Sequence, residues 1–370
     1  MLSGFKASVQ NELNALFGHL ANQADLLRQA TAQAFSKVRQ NFSHTAFAAL
    51  NTRLMALVSE HLEMPLWHGL RVVAADASKL QLFLQDATGR QVREAIAFAL
   101  YLPGLELTLA AELYSPTVDE RQMLFEHLDR LDSSDLLVLD RGYPARWLIA
   151  ALVQRGTHFC MRVDNTGFAV VRAFLRTDRA ETVTGIRAAD ASDAEAYGCE
   201  VKPTPVRLVR VMTPNGRIHV VMTSLLNTND FPADSFAALY HSRWRIEEAF
   251  KRLKHRLALE NTSGLSWLAA QQDFGAKVLA DNLHGLTALE AVAHAPRAAS
   301  GAYKINRTYA FAHLKRCLPR WPLSAMPTAA EWLGAITEIA KNLIQFKPHA
   351  SKPRPAHPKP HRKHAYKSTC

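Results

Sequence analysis

Hydrophobic residues recur along the first 65 positions with the spacing of helices. Apolar side chains repeat every three or four residues from Leu13 to Leu27, and again from Leu50 to Val58 after the polar break NFSHTAF. This spacing places them on one face of a helix, so the pattern predicts two amphipathic helices. Ser43 is a suitable N-cap for the second helix, because its hydroxyl can accept a hydrogen bond from a free backbone N–H.

From residue 71 onward the pattern changes to short apolar runs, separated by turn residues and helical stretches. A continuous run such as DLLVLD is typical of a strand that is buried on both faces. The predicted strands cover residues 71–80, 95–102, 105–114, 135–140 and 157–163, and the predicted helices cover residues 118–131 and 144–156. Three antiparallel strands followed by helix, strand, helix and strand predict an α/β fold with a mixed sheet flanked by helices.

The order of elements changes again after Val163. Residues 206–226 have the pattern of a β-hairpin with Asn215-Gly216 at its turn, so residues 166–235 are interpreted as a β-rich insertion outside the main sheet. One helix is predicted from about residue 236 to residue 259, and the pattern of residues 265–345 is mainly helical. The end of the chain has five prolines among basic residues, which predicts disorder.

Composition indicates a soluble globular protein, with 48% hydrophobic residues and a mean hydropathy of −0.11. The longest apolar stretch, residues 95–114, is interrupted by Pro103-Gly104 and by Glu106, which argues against a membrane span. The N-terminus lacks the basic and then apolar arrangement of a signal peptide. The four cysteines are far apart and form no CxxC pair, which excludes the usual zinc spacings and indicates the reducing cytoplasm.

The net charge of +11 is concentrated in two segments. Residues 347–370 contain seven Lys or Arg and no acid, and residues 240–256 contain six Lys or Arg and two Glu, so together they carry the whole excess. Charge concentrated in this way predicts a polyanionic partner, most simply nucleic acid. A solubilising function explains the basic tail equally well.

The segment YHSRWRIEEAFKRLKH, residues 240–255, contains two adjacent glutamates of different placement. At about 100° per residue, Glu247 lies in a stripe with Tyr240, Arg243 and Lys254, at the edge of the apolar face. Glu248 is rotated by about 100° toward solvent. A surface ion pair between Glu247 and Lys251 is the plainer interpretation of Glu247, and such a pair contributes only a few tenths of a kcal/mol.

Two further acids favour a chemical function for Glu247. Asp76 is predicted to end the strand VVAAD, and Asp140 is predicted to end the strand LLVLD. Either acid alone is more typical of a turn or cap, but two strand-terminal acids and a helical glutamate form a carboxylate triad. Oxygen ligands of this kind suit Mg²⁺, and a pair of such ions about 4 Å apart supports phosphoryl transfer.

The spacing Tyr240-x2-Arg243-x3-Glu247-x6-Lys254 resembles the YREK signature of the insertion-sequence 4 family of bacterial DDE transposases. The segment VVAADASKL is similar to the family's first Asp segment, and LVLDRGYPARWL is similar to its second. The resemblance covers about residues 40–320. Ala77 departs from the glycine that relatives usually have at that position. The insertion lacks the tryptophan with which relatives can hold a flipped base; the aromatic substitutes that it offers are Phe168, Phe174 and Tyr197.

The resemblance implies a ribonuclease H-like catalytic domain in which Asp76, Asp140 and Glu247 bind two Mg²⁺ ions, with Mn²⁺ as a substitute. Arg243 and Lys254 are then suited to bind DNA phosphates. Two further DNA contacts are weaker candidates. Tyr240 either positions the terminal phosphate or packs at the start of the helix, and Arg162 is either a phosphate contact or an ordinary surface arginine.

On this basis the chain is expected to cleave the ends of an insertion sequence and to transfer the strands to target DNA. The implied partners are double-stranded DNA, as terminal inverted repeats and target, and a second copy of the chain; no membrane partner is expected. The expected location is the bacterial cytoplasm, with the nucleoid. The predicted regions are an N-terminal helical region for DNA-end binding (1–66), the first part of the catalytic core (67–165), the β-rich insertion (166–235), the second part of the core (236–265), a C-terminal helical region (266–346) and a basic disordered tail (347–370).

Two alternatives remain open at this point. One is a ribonuclease H-like DNA nuclease that cleaves without joining strands. The other is a catalytically inactive transposase relative that only binds DNA, although the presence of all three acids argues against it.

Overall fold

The computed structural model describes residues 8–21, 26–85, 88–212, 216–295, 302–317 and 328–345, so the predicted disordered tail lies outside the described residues. The helices are α1 Val9–Leu20, α2 Ala32–Arg39, α3 Thr45–His61, α4 Glu120–Glu126, α5 Arg146–Gln154, α6 Ala169–Leu175, α7 Ala191–Tyr197, α8 Ser235–Ser242, α9 Trp244–Arg256, α10 Trp267–Ala293, α11 Arg307–Cys317 and α12 Ala329–Lys341. The strands are β1 Leu66–Trp67, β2 Leu70–Gln85, β3 Gln91–Leu102, β4 Leu107–Tyr114, β5 Asp135–Leu139, β6 His158–Val163, β7 Glu181–Ile186, β8 Thr204–Met212, β9 Ile218–Thr223, β10 Tyr303–Ile305 and β11 Leu343–Gln345.

A nine-stranded sheet forms the centre of the fold, with the order β4-β3-β2-β5-β6-β9-β8-β7 and with β1 paired to β2. β5 is parallel to both of its neighbours, β2 and β6, whereas the β3–β4, β6–β9, β8–β9 and β7–β8 pairs are antiparallel. The first five of these strands have the order of a ribonuclease H-like core. The structure therefore confirms the predicted fold class, a mixed sheet flanked by helices.

The centre of the sheet is stabilised by apolar burial and by one ion pair. All five residues of β5 are buried, as expected for a strand covered on both faces. At the start of β5, the carboxylate of Asp135 accepts from the guanidinium of Arg71, at 2.5 Å from Nε and 2.7 Å from Nη2. Asp135 is completely buried and cannot be hydrated, so the guanidinium of Arg71 provides the hydrogen bonds that its carboxylate needs.

The boundary of β2 differs from the predicted one. β2 extends for 16 residues, so Asp76 lies within the strand and not at its end. Pairing with the five-residue strand β5 stops at Ala74, but β2 continues because its other neighbour, β3, is 12 residues long. Asp76 therefore lies just beyond the last residue pair of β2 and β5. This is the end of the two strands at which Asp140 also lies, so the carboxylates of both residues can bind one ligand.

The segment between Val163 and the catalytic helix is not an insertion outside the main sheet, and that prediction was wrong. The predicted hairpin forms as β8 and β9, and β9 pairs with β6, from Cys160 opposite Thr223 to Val163 opposite Val220. Apolar residues on β8 and β9, such as Val209 and Val221, are fully buried and so favour addition to the sheet edge. Two short helices, α6 and α7, also lie in this segment.

Two helical predictions need adjustment. The helix predicted over residues 236–259 forms as α8 and α9, which meet at Arg243. The first N-terminal helix is shorter than predicted, because α1 ends at Leu20 and α2 begins at Ala32. In the described parts of the chain, every helix is too short or too polar to cross a bilayer.

The chain divides into two compact units. One comprises residues 55–78 and 96–250 and contains most of the sheet, α4 to α8 and the first part of α9. The other comprises residues 1–54, 79–95 and 251–370. In this second unit, the residues Ala276 and Leu279 of α10 pack against Phe47 of α3, and α10, α11 and α12 share an apolar core.

Candidate active site

Asp76 and Asp140 are positioned by adjacent parallel strands. The β2–β5 ladder pairs Ala74 with Val138, and each aspartate follows two residues later on its strand or just after it. Side chains two residues apart on a strand point to the same face of the sheet. The local fold therefore places both carboxylates at one end of the sheet and on one side of it.

Helix α8 brings the later residues of the motif to the same end of the sheet. Its apolar face, with Phe236 and Leu239, packs against Val138 of β5 and Cys160 of β6. The helical-wheel prediction for the paired glutamates is confirmed, because Glu247 is partly buried and Glu248 is exposed.

Arg243 is a buried cation in the middle of these groups, with a relative exposure of 4%. Its Nη2 donates to Oε1 of Glu247 at 2.9 Å, and its guanidinium carbon lies 5.7 Å from the ring centre of Tyr240. The hydroxyl of Tyr240 donates to Oδ1 of Asp140 at 3.3 Å, and the same oxygen accepts from the backbone N–H of Arg141 at 2.6 Å. Motif residues that are far apart in sequence thus form one polar network.

The electrostatics of Asp76 link it to this network. The pKa of Asp76 is raised to about 7. Burial is the main cause; Arg243 and a hydrogen bond from the backbone of Ala77 lower the pKa, and the charges of Glu247 and Glu120 raise it. The charges of Asp140 and Asp76 in turn raise the pKa of Arg243, against the effect of burial. Arg243 is therefore a shared counter-ion of the predicted triad.

Two residues of the site, Glu120 and Tyr143, were not predicted from the sequence to have a function there. Glu120, in the first turn of α4, lies close enough to Asp140 for that charge to raise the pKa of Glu120, although burial is the larger cause. A Cβ atom on Gly142 would lie 3.6 Å from Oε2 of Glu120. Tyr143 is fully buried, and its pKa is raised well above the usual value by burial and then by Glu120, Asp76 and Asp140. A glutamate in a first helical turn is common, so no pattern distinguishes Glu120.

The donor set of this network fits a divalent cation. The partly buried carboxylates of Asp76, Asp140 and Glu247 neighbour one buried guanidinium, and that of Glu120 lies near Asp76 and Asp140. Hard divalent cations bind such oxygens. Within the described ranges, no three His, Cys, Asp or Glu side chains already converge as a set of metal ligands. Two buried polar atoms at the site, the Tyr143 hydroxyl and Nε of Arg243, have no hydrogen-bond partner among the residues that the structure describes, which is consistent with a polar ligand.

Two other candidate DNA contacts differ in their placement. Arg162 of β6 lies near His219 and Tyr240. Burial and then the charge of Arg162 lower the pKa of His219. Burial raises the pKa of Tyr240 to about 12, and the charges of Arg243 and Arg162 oppose this shift. Lys254 belongs to the other compact unit, where its ammonium group donates to the carbonyl oxygen of Lys79 at 2.5 Å. Burial lowers the pKa of Lys254, and the nearby Glu260 opposes that effect.

The proposed aromatic substitutes for base holding offer little free surface. Phe168 and Phe174 are buried, and the guanidinium of Arg210 lies 4.9 Å from the ring centre of Phe174. Tyr197 is stacked on Trp147 at 3.6 Å between ring centres. Burial therefore covers the rings of Phe168 and Phe174, and the contact with Trp147 covers one ring face of the partly buried Tyr197.

The strand order and the acids at adjacent strands define an α/β protein with a ribonuclease H-like core. Residues 67–283 match the family model of the transposase DDE domain, and the chain belongs to this family. No curated protein matches the chain. Among solved structures it is similar to a piggyBac transposase synaptic complex with hairpin DNA, with 12% identity, a TM-score of 0.42, and coverage of 89% of this chain and 68% of that one.

Proposed function

We propose that the chain is a cut-and-paste transposase with the YREK signature of the insertion-sequence 4 family. It cleaves DNA at the ends of an insertion sequence and transfers the released strands to target DNA. The observation that carries this proposal is the network in which Arg243 is a shared neighbour of Asp76, Asp140 and Glu247. Membership of the transposase DDE domain family supports it.

Asp76, Asp140 and Glu247 are the proposed ligands of two Mg²⁺ ions, for which Mn²⁺ can substitute. When bound, such ions activate a nucleophilic oxygen and stabilise the leaving oxygen of a phosphodiester. Burial is the main cause of the raised pKa of Asp76, and the charges of Glu247 and Glu120 add to it. A bound cation would favour the ionised carboxylate, so this environment supports a cation site.

The basic and phenolic residues of the site are proposed to hold the DNA. Arg243 suits a phosphate because a guanidinium can donate two parallel hydrogen bonds, and its Nε is already without a partner. Its bond to Glu247 competes with any cation that binds this carboxylate, so cation binding would release donors of Arg243 for the phosphate. Tyr240 is proposed to orient Asp140 and the terminal phosphate, and Arg162 and Lys254 are proposed as further phosphate contacts.

The proposed partners are terminal inverted repeats, target DNA and a second copy of the chain. The helical region 1–66 is proposed to bind the DNA ends, and the basic residues 347–370 are proposed to add nonspecific affinity. We propose that the protein acts on the nucleoid in the bacterial cytoplasm, where its buried cysteines, Cys160 and Cys199, would remain reduced.

One reaction tests this function. The purified chain is incubated with Mg²⁺ and a linear DNA that carries the candidate ends, and the products of excision and of strand transfer are measured separately. Both products are expected, and neither should form with EDTA or with the Asp140→Asn variant. Excision without joining would instead support the nuclease, and specific end binding without any cleavage would support the inactive relative.

A further inference from the structure

A row of basic side chains continues from Asp140 across the sheet to the start of β9. The β5–β6 ladder pairs Val138 with Cys160, and Asp140 and Arg162 each follow two residues later along the chain. Side chains two residues apart on a strand point to the same face, so Arg162 lies beside Asp140 on the face that bears the proposed metal ligands. Adjacent strands are about 5 Å apart, so the long side chain of Arg162 can reach a phosphate next to the one at the acids.

Strand β9 extends this row by one more strand. It pairs antiparallel with β6, with Val221 opposite Arg162, and His219 precedes Val221 by two residues. His219 therefore points to the same face and lies at the same end of the sheet. The packing agrees with this face, because Val138, Val221 and Tyr240 belong to one core cluster. The register thus places Arg162 and His219 side by side, next to the proposed active site.

The electrostatics agree with this placement and add a third basic group. The pKa of His219 is lowered first by burial and then by the charges of Arg162 and Arg217, whereas the charge of Asp140 raises it. Arg217 is exposed and lies one residue before β9. The basic groups disfavour a further positive charge at His219, and an anion bound between them would offset that repulsion.

The acid that follows β6 is engaged by its own turn. The carboxylate of Asp164 accepts from the backbone N–H of Thr166 at 3.0 Å and also from the hydroxyl of Thr166. These bonds are the main cause of the lowered pKa of Asp164, and the charges of Arg141 and Arg162 add to the shift. Within the described ranges Arg162 forms no ion pair, so its guanidinium is available to an anion.

We propose that Arg162, His219 and Arg217 bind successive phosphates of the cleaved DNA strand, so that this strand runs from Asp140 toward β9. Guanidiniums donate paired, charge-assisted hydrogen bonds to phosphate oxygens, and an imidazole N–H can donate one more. The choice of DNA as the ligand rests on the proposed function. The row adds His219 and Arg217 to the proposed DNA contacts and gives the direction in which the strand leaves the acids.

The first test measures the affinity of the full-length protein for duplex DNA with the candidate ends, in EDTA so that cleavage is absent. The row variants Arg217→Gln and His219→Gln are compared with Arg155→Gln and His158→Gln. Arg155 and His158 lie just before and at the start of β6, at the opposite end of this strand from Arg162, so each control makes the same substitution outside the row. The slope of log K against log salt should be smaller in magnitude by about 0.9 for Arg217→Gln than for Arg155→Gln. Equal slopes would overturn the proposal.

The second test locates the phosphates with neutral methylphosphonate linkages, placed one at a time in the cleaved strand. Neutralising a phosphate beside the cleaved bond should weaken binding of the wild type and of both controls about tenfold, but that of the row variants less than about twofold, because their contact is already lost. A folded row variant that keeps the full wild-type sensitivity at every position would overturn the proposal, and so would an effect confined to phosphates remote from the cleaved bond.

The two tests remain decisive if one variant is unstable. Arg217 is exposed, so Arg217→Gln carries both measurements if circular dichroism shows that His219→Gln does not fold. Failure of the proposed transposase function is distinguishable, because it would appear as absent cleavage or joining products in Mg²⁺ while the effect of the neutral linkages persists in EDTA.

Discussion

Asp76 on β2 and Asp140 directly after the neighbouring strand β5 each follow by two residues one member of the same ladder pair, Ala74 and Val138. The end of this ladder therefore brings the two carboxylates to the same end of the sheet. Glu247 differs, since it lies on a helix and forms an ion pair with Arg243. Two of the proposed ligands are thus positioned by the sheet and the third by a helix.

The paired glutamates provide the sharpest test of the site. Glu247→Gln is expected to reduce Mg²⁺-dependent nicking by orders of magnitude while end binding survives, because the variant lacks one of the carboxylates proposed as metal ligands. Glu248→Gln, at an exposed position, should cleave within a small factor of wild type. The nicking rates of the two purified variants show which glutamate the reaction requires, and circular dichroism checks that both variants are folded. An active Glu247→Gln with an inactive Glu248→Gln would reverse the assignment.

Glu120 is expected to support cation binding through its charge. Replacement by Gln removes a negative neighbour of Asp76 and Asp140, so the Mg²⁺ concentration for half-maximal nicking should rise roughly tenfold. The matched control is Glu195→Gln, which removes an exposed carboxylate of α7. Identical Mg²⁺ dependence of the two variants would exclude Glu120 from the site.

Two helical glycines predict opposite effects on stability. A Cβ on Gly275 of α10 would lie 3.0 Å from the Cβ of Phe47 on α3, so Gly275→Ala should destabilise the protein by about 1–3 kcal/mol. Gly334 of α12 is exposed and has no atom within 4 Å of such a Cβ, so Gly334→Ala should stabilise by about 0.5–1 kcal/mol. Urea unfolding measures both, and stabilisation by Gly275→Ala would show that α3 yields at this contact.

His284 predicts a pH dependence of stability. Its folded pKa is about 4, below the unfolded value of about 6.5, so the unfolded chain binds the proton more readily. The contribution of neutral His284 is complete above pH 6.5 and is lost as the pH falls toward 4. In phosphate-free buffers, His284→Gln should therefore weaken the loss of urea resistance between pH 6.5 and 4. His294→Gln, at an exposed residue just after α10, should leave that loss unchanged.

The basic tail is expected to contribute affinity without specificity. Truncation before Lys347 removes seven cations and few groups able to read bases. The slope of log K against log salt should become shallower, while the preference for end DNA over random DNA persists. Competition binding with the two DNAs measures that preference, and its loss on truncation would assign the tail a part in recognition.

The sequence was most informative where a pattern had a single physical cause. The run DLLVL predicted β5 because a strand buried on both faces favours consecutive apolar positions, here four of them after the paired Asp135. Helical periodicity separated Glu247 from Glu248 for a similar reason. The functions of Asp76, Asp140 and Glu247 remain predictions, supported by the network in which they lie.

The features that the sequence did not predict depend on contacts between residues that are far apart in the chain. The length of β2 is set by its neighbour β3. β9 pairs with the edge of β6, and local sequence does not show that this edge is open to a further strand. Glu120 joins the site only because α4 begins near Asp140, which no spacing encodes. Lys254 fits the motif spacing, yet its ammonium group bonds to the backbone of Lys79.

The network around Arg243 also has a consequence for the order in which the protein folds. Its acids come from positions 76, 140 and 247, and the helix that carries the last of them follows β9, which pairs with β6. Contacts of such long sequence separation form slowly, since loop closure precedes any gain from them. During synthesis both aspartates leave the ribosome well before the glutamate does, so the proposed site cannot be complete in a growing polypeptide until this helix has been made.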